Sequence, residues 1–236
     1  MFYTLLMQIA FDLGQSETFI SVRNRLRRLY GVAGHDFLRD PVSQLIKSML
    51  STHTYDRVST GALERLQGRY RDWDALAKAP AADIALLIGD VTYADRKAAE
   101  IGIALRQLKA RSGDLCLDFL HDWTTADALA YLENMQGVGR KISAAVLNFS
   151  TLREPALVID SHLLRVLAQL GLIGPRVDNA LTAYQVVMPM LTAWTAGELF
   201  ELHCLLKRLG QDICRPVQPR CCTCPLETLC RQSGQP

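Results

Sequence analysis

Apolar residues recur at three- and four-residue intervals along almost the whole chain, and no run alternates apolar with polar positions as a half-buried strand would. Phe19, Ile20, Val22, Leu26 and Leu29 mark a first helix that ends near Gly31. Asp40-Pro41 offers a capping carboxylate followed by a residue pre-set for the first helical turn, and starts a second helix that runs to Leu50. Further periodic stretches predict helices over about 56–67, 73–78, 81–88, 95–110, 125–134, 140–150, 161–170, 178–190 and 195–209. Short connections carry Gly, Pro, Asp and Thr. The pattern predicts an all-α chain with no internal repeat, no low-complexity linker and a frayed end over 231–236.

The 236 residues suffice for one sizeable core or two small domains packed together. A hydrophobic share of 49% and a charged share of 21% suit a soluble globular protein. The net charge of +2 is too small to point to nucleic acid by itself. Local cationic patches remain open: Arg23, Arg25, Arg27 and Arg28 cluster early, and Arg140 adjoins Lys141. The opening MFYTLLMQIAF is apolar, but it lacks the basic flank and small-residue cleavage site of a secretory leader and is too short to span a bilayer. It reads as a packed first segment or an overextended start, in a chain with no membrane partner. Seven cysteines, an odd number, without a leader predict a reducing compartment.

Four of those cysteines, Cys214, Cys221, Cys224 and Cys230, form a C-x6-C-x2-C-x5-C run near the end. Thiols this close can converge on one centre. A zinc ribbon would pair two C-x2-C knuckles, and only one is present. Disulfides would need an oxidising compartment. The spacing favours an iron–sulfur cluster held by four thiolates. Cys222 complicates the register, because its use would leave a tighter C-x-C pair with Cys224. Cys221 is the preferred ligand and Cys222 the bystander. Arg215, Arg220 and Arg231 flank the run and could present cations to phosphate.

The second candidate is MQGVGRKISAAVLNF at 135–149. Gly137-Val138-Gly139 joins two amphipathic helices. Glycines there permit positive φ and close approach of backbone to a ligand, and the following helix N-terminus suits an anion such as a phosphate. Alone, this motif is also that of any tight helical hairpin. Ile142, Ala145, Val146 and Phe149 form a buried stripe, and Lys141 lies beside it. A positive helix end and the adjacent Arg140 should lower the pKa of that lysine, and only a neutral amine attacks as a nucleophile. Asp160 ends the apolar run Ala156-Leu157-Val158-Ile159 and stands before the helix over 161–170. By itself it is a helix cap. Amide donors would also keep it ionised, as a carboxylate assisting the lysine must be.

The hairpin GVGRK, the segment VIDSH and the cysteine run, in that order, resemble the endonuclease III branch of the helix-hairpin-helix DNA glycosylases. The likeness spans most of the chain and includes DPVSQLIKSMLSTHTYD. It implies a six-helix barrel with the hairpin over 35–153, and a second helical domain made of 1–34 and 154–236 that carries a 4Fe-4S cluster on Cys214, Cys221, Cys224 and Cys230. It implies substrate in the cleft between them, and a monomer in the cytoplasm whose partner is double-stranded DNA containing damaged bases or abasic sites. Lys141 would be the nucleophile and Asp160 the assisting carboxylate of a bifunctional glycosylase and abasic-site lyase. Oxidised pyrimidines are the expected substrates. Gly137, Val138, Gly139 and Arg140 would hold the DNA backbone. The related adenine mismatch glycosylases lack a lysine at this place.

Two departures stand out. His53, in MLSTHTYD, occupies the place where the family's glutamine fills the hole left by an extruded base. IGDVTYADRK lies where the family carries an intercalating wedge, with Tyr93 or Val91 as the wedge residue. His162 follows Asp160 and would pack or orient that turn. Two rival functions stay open: a monofunctional uracil or thymine mismatch glycosylase, and a non-catalytic DNA-binding scaffold.

Overall fold

A computed structural model of the chain describes residues 2–34 and 38–230, with the side chains of the first helix described from residue 16 onward. Eleven α-helices, numbered α1 to α11 in chain order, account for most of these residues, and the one strand-like feature among them is an isolated bridge between Arg39 and Ser150. Contacts divide the chain into two units, one made of Met1–Asp36 with Pro155–Pro236 and the other of Phe37–Glu154.

The Phe37–Glu154 unit is built around α2 (Pro41–Ser51), which packs against α3 (Asp56–Arg69), α6 (Ala94–Ser112) and α8 (Arg140–Phe149). Helix α2 starts as the sequence predicts: Asp40 caps it, accepting from the Ser43 amide at 2.9 Å, and Pro41 fills its first turn. It is buried on nearly every side, Ser43, Gln44 and Ser48 included. A helix buried all round must satisfy its polar side chains internally, and Gln44 Nε2 donates to Ser48 Oγ at 3.0 Å. Helices α4 (Trp73–Lys78) and α5 (Ala81–Leu87) cover α6, and α7 (Thr125–Glu133) pairs with α8.

In the other unit, α9 (Ser161–Leu170) lies on α11 (Ala196–Asp212), which also receives α1 (Phe2–Tyr30). Leu163, Val166 and Leu167 of α9 and Leu199, Leu202, Leu206 and Leu209 of α11 are buried, with Phe19, Val22 and Leu26 from α1. Each such side chain withdrawn from water contributes about 1.5–3 kcal/mol. Helix α9 ends in a Schellman turn: Gly171 takes φ 70°, its amide donates to Ala168 O at 3.0 Å, and the Leu172 amide donates to Leu167 O at 3.0 Å.

Three expectations change. The apolar opening is already helical from Phe2. The single helix expected over 178–190 is α10 (Ala180–Val187) followed by a tighter 3-10 turn at Met188–Leu191, because Pro189 cannot donate to the α-helical ladder. The early arginine patch is spent mostly inside its unit. Arg23 donates to Glu198 at 2.7 Å, Arg27 to both oxygens of Glu201 at 2.6 and 2.5 Å, and Arg25 to Thr228 Oγ1 at 2.6 Å and Pro225 O at 3.2 Å. These bonds fasten α1 to α11 and to the segment that follows it.

Glu198 gives this fastening a pH signature. The Arg23 guanidinium and the Thr195 amide pull its carboxyl down from 4.5 to about 2. A depressed acid stabilises the fold above its unfolded value and loses that share as it is protonated. Thermal stability should therefore fall as pH drops from about 4.5 through 2, and Glu198→Gln should fall less steeply over that window, as read by denaturation monitored at a series of pH values.

Candidate functional site

The hairpin between α7 and α8 is shaped by one glycine. Gly137 takes φ +77°, and a Cβ there would stand 2.9 Å from Glu100 Oε2 and 3.1 Å from Glu100 Cβ on α6. Left-handed backbone and close approach both call for glycine. Gly139 differs: its φ is −111°, nothing lies within 4 Å of the Cβ position, and it is the N-cap of α8 with no side chain closing that end. The start of α8 thus presents backbone amides and the positive end of the helix dipole. Val138 is buried beneath the turn.

Arg140 and Lys141 follow at once. Arg140 forms a two-pronged ion pair with Glu133 on α7, and Ser143 Oγ donates to the same carboxylate at 3.0 Å. Arg140 therefore ties the two helices of the hairpin together. Lys141, half-buried, is the second residue of α8, beside the buried Ile142, Ala144, Ala145 and Val146.

Asp160 belongs to the other unit and caps α9. Its Oδ1 accepts from the amides of His162 and Leu163, both at 2.9 Å. Burial pushes its carboxyl upward, but His203, the Leu163 amide, Lys207 and His162 outweigh that and hold it below the usual range. His203 and Lys207 sit one turn apart on α11, and His203 Nδ1 is 2.7 Å from Val158 O. Neither was singled out from the sequence, because the link from α11 to Asp160 is made only by packing. A Cβ on Gly210 would meet the His162 Cβ at 2.9 Å, so α9 and α11 pack closely at His162.

His53 and Tyr93 lie in the same unit as the hairpin, and both take left-handed backbone, at φ 53° and 60°. Both are exposed, and their rings meet edge to face with centroids 6.2 Å apart. Val91, the other wedge residue suggested by the sequence, is 3% exposed and part of the core.

The four cysteines lie in a loop after α11 with two short 3-10 turns, Cys221–Thr223 and Glu227–Leu229. None forms a disulfide. Burial raises the thiol pKa values of Cys214 and Cys224, and each is raised further by charge on Cys221 and Cys230, so the four lie within mutual electrostatic reach. Among the described residues, no three His, Cys, Asp or Glu side chains stand close enough to grip a metal ion. The donor set nonetheless suits a centre that takes four thiolates: mutual repulsion of this kind is what a bound cation relieves. The loop is anchored by Arg165, which donates to Cys214 O at 2.9 Å and to Gly210 O at 2.6 Å, and by the Cys230 thiol, which donates to Gln169 O at 3.3 Å. Arg215 and Arg220 direct donors to the last carbonyls of α11, including Asp212 O, rather than only outward. Arg231 lies outside the described residues. Among the described residues no helix is long and apolar enough to cross a membrane.

No family model matches the chain. It is 30% identical over 193 residues to endonuclease III of Thermotoga maritima, an alignment that covers 81% of this chain and 83% of that one. It is 29% identical over 189 residues to the chloroplastic endonuclease III homolog 2 of Arabidopsis thaliana, covering 79% of this chain but only 47% of the relative, so the chain spans about half the length of that plant protein. Among solved structures, a trapped covalent intermediate of endonuclease III with DNA superposes with a TM-score of 0.74 at 22% identity, over 92% of this chain and 96% of that one. At that identity the superposition speaks for the all-helical fold.

The two glycines of the hairpin should separate in mutagenesis. Gly137→Ala forces a side chain into left-handed backbone against Glu100 and should cost about 1–2 kcal/mol in urea unfolding. Gly139→Ser meets no atom, supplies a better cap, and should hold or raise the midpoint.

Proposed function

The chain belongs to the endonuclease III family, and on that premise we propose that it is a DNA glycosylase of base excision repair with abasic-site lyase activity. The observation that carries the reading is Lys141 on the first turn of α8, directly behind a glycine hairpin whose helix end suits a phosphate. A glycosidic bond inside a duplex cannot be reached by an enzyme side chain, so the damaged nucleotide must leave the stack. Damaged duplex DNA is accordingly the proposed partner, with oxidised pyrimidines as the substrate class.

The reaction uses a neutral amine and an ionised carboxylate. Asp160, held ionised by its amide donors and its basic neighbours, stabilises positive charge developing on the sugar and then accepts the proton that Lys141 Nζ sheds once it is bonded to C1′. Lys141 Nζ bonds to C1′ as the bond to the base breaks, and the base departs with the electron pair. The sugar ring opens to a Schiff base. Loss of a C2′ proton then expels the 3′ phosphate by β-elimination. Gly137, Val138, Gly139 and the start of α8 hold the backbone phosphate, a contact that positions without reading sequence. Arg140 supports this by locking the hairpin through Glu133. His53 fills the space of the extruded nucleotide and Tyr93 wedges the stack beside it.

Cys214, Cys221, Cys224 and Cys230 would hold a 4Fe-4S cluster. When bound, it supplies positive charge that holds the four thiolates together, and the bond-breaking chemistry remains with Lys141. The Phe37–Glu154 unit would act as the hairpin-bearing barrel and the other unit as the cluster domain.

Borohydride reduction on an oxidised-pyrimidine duplex should trap a covalent protein–DNA adduct. Lys141→Gln should abolish trapping while retaining DNA affinity within about twofold, since one half-buried contact among several is lost. If the native protein gives no adduct on either damaged-base or abasic DNA, the lysine mechanism is wrong. Protein purified without oxygen should be brown and carry iron and sulfide in equal amounts. A colourless protein containing zinc would overturn the cluster while leaving the lysine untouched.

A further inference from the structure

Lys97 is a buried cation for which the chemistry above has no use. It lies in the first turn of α6 and is 2% exposed. Burying an ammonium is costly unless its donors are matched. All three are matched here: Lys97 Nζ donates to Leu50 O at 2.8 Å, to Thr52 O at 2.5 Å and to Thr54 Oγ1 at 3.1 Å. Leu50 and Thr52 stand at the end of α2, whose last carbonyls lack helical partners and carry the negative end of its dipole. The cation thus closes α2 from a different helix.

The bond to Thr54 extends this closure. Thr54 Oγ1 accepts from Lys97 and from the Thr92 amide at 3.2 Å, and donates to Thr52 O at 3.3 Å. A hydroxyl has one proton and two lone pairs, and all are engaged. One ammonium and one hydroxyl therefore bind the turn on either side of His53 to the turn just before Tyr93. These turns hold two of the four non-glycine residues with positive φ among the described residues. Left-handed backbone at such residues costs of order 1 kcal/mol each and persists only where the surroundings impose it. Lys97 bonds to the residues on both sides of His53 and, through Thr54, reaches the residue before Tyr93, and the two rings meet edge to face.

We propose that Lys97 is a positioning residue that sets His53 and Tyr93 as one preassembled aromatic pair, so that the protein enters a DNA stack with a rigid two-ring unit. This rests on the reading of the chain as a DNA glycosylase. A pair ordered before binding loses less conformational freedom when it replaces an extruded nucleotide. Arg96, whose guanidinium lies 4.8 Å over the Tyr93 ring, steadies the same element. The charge state fits the role. Burial, then the cations of Lys141 and Arg96, lower the Lys97 pKa to about 8, with Glu100 opposing them. A neutral amine would have two protons for three acceptors, so the linkage is complete only while the ammonium persists.

The test uses the full chain and Lys97→Met, which keeps length and removes the donors. In the free protein, NMR reads the His53 ring protons, shifted by the Tyr93 ring. That shift should vanish in Lys97→Met, and the amides of 52–54 and 92–93 should move with it. On duplexes with a non-cleavable tetrahydrofuran abasic site and 2-aminopurine opposite, Lys97→Met should lose roughly tenfold in affinity and the fluorescence rise of an unstacked base, with affinity for intact duplex unchanged. Adding Lys97→Met to a His53→Ala/Tyr93→Ala protein should cost nothing more. A retained ring shift overturns the proposal, as does equal loss on intact and abasic DNA or an additive loss in the combined variant. Should Lys97→Met not fold, Thr54→Val removes the link to Thr92 while the ammonium keeps its two carbonyl acceptors, and should weaken the same ring shift. If the native protein does not prefer abasic DNA at all, the glycosylase reading fails, while the ring shift still decides what Lys97 does.

Discussion

Each helix leaves amides without partners at one end and carbonyls at the other, and in a chain built from helices something must close every such end. Here several of the closures are made by residues within or beside the candidate site. Asp160 closes the start of α9 and is kept ionised by that task. Lys97 closes the end of α2 from α6. Arg215 and Arg220 close the end of α11 beside the cysteine loop. Helix α8 starts at Gly139 with no capping side chain, as α3, α5 and α6 also start without one. An end left without a cap, behind a glycine turn and ahead of a lysine, is where a phosphate oxygen would serve as the missing acceptor.

Helix α6 coordinates this unit more than its sequence suggests. Its first turn carries Lys97, its second places Glu100 under Gly137, and further along Gln107 accepts from the Gln136 amide at 2.8 Å. The hairpin and the His53–Tyr93 turns are thereby referred to one rigid helix. Small displacements of α6 would alter both together, because packed interiors transmit strain.

Most of the fold was legible because its signals are local. Apolar periodicity located the helices after the first within a few residues, and Asp40-Pro41 and Asp160 are caps whose partners lie within one turn. What escaped were partners chosen by tertiary packing. Glu133 binding Arg140, His203 and Lys207 acting on Asp160, and Lys97 reaching across to Thr52 span from 7 to 47 residues and leave no periodic trace. Charge is illegible for the same reason: four early arginines leave a surface patch open until three find acceptors inside their unit. Of the candidate site, the lysine, the aspartate, the hairpin and the cysteines announced themselves by residue type and spacing. The surroundings that set their geometry did not.

The order in which the chain is made adds a temporal dimension. One unit is continuous from Phe37 to Glu154, whereas the other is split, with α1 at the beginning and its partner α11 beginning only at Ala196. On the ribosome the continuous unit can close as soon as Glu154 has emerged, while α1, with Phe19, Val22 and Leu26 still uncovered, must wait for nearly all the remaining chain. The nascent protein therefore passes through an interval in which an apolar helix stands without its partner. An apolar helix standing unpaired in that interval is the surface on which aggregation or chaperone binding would act.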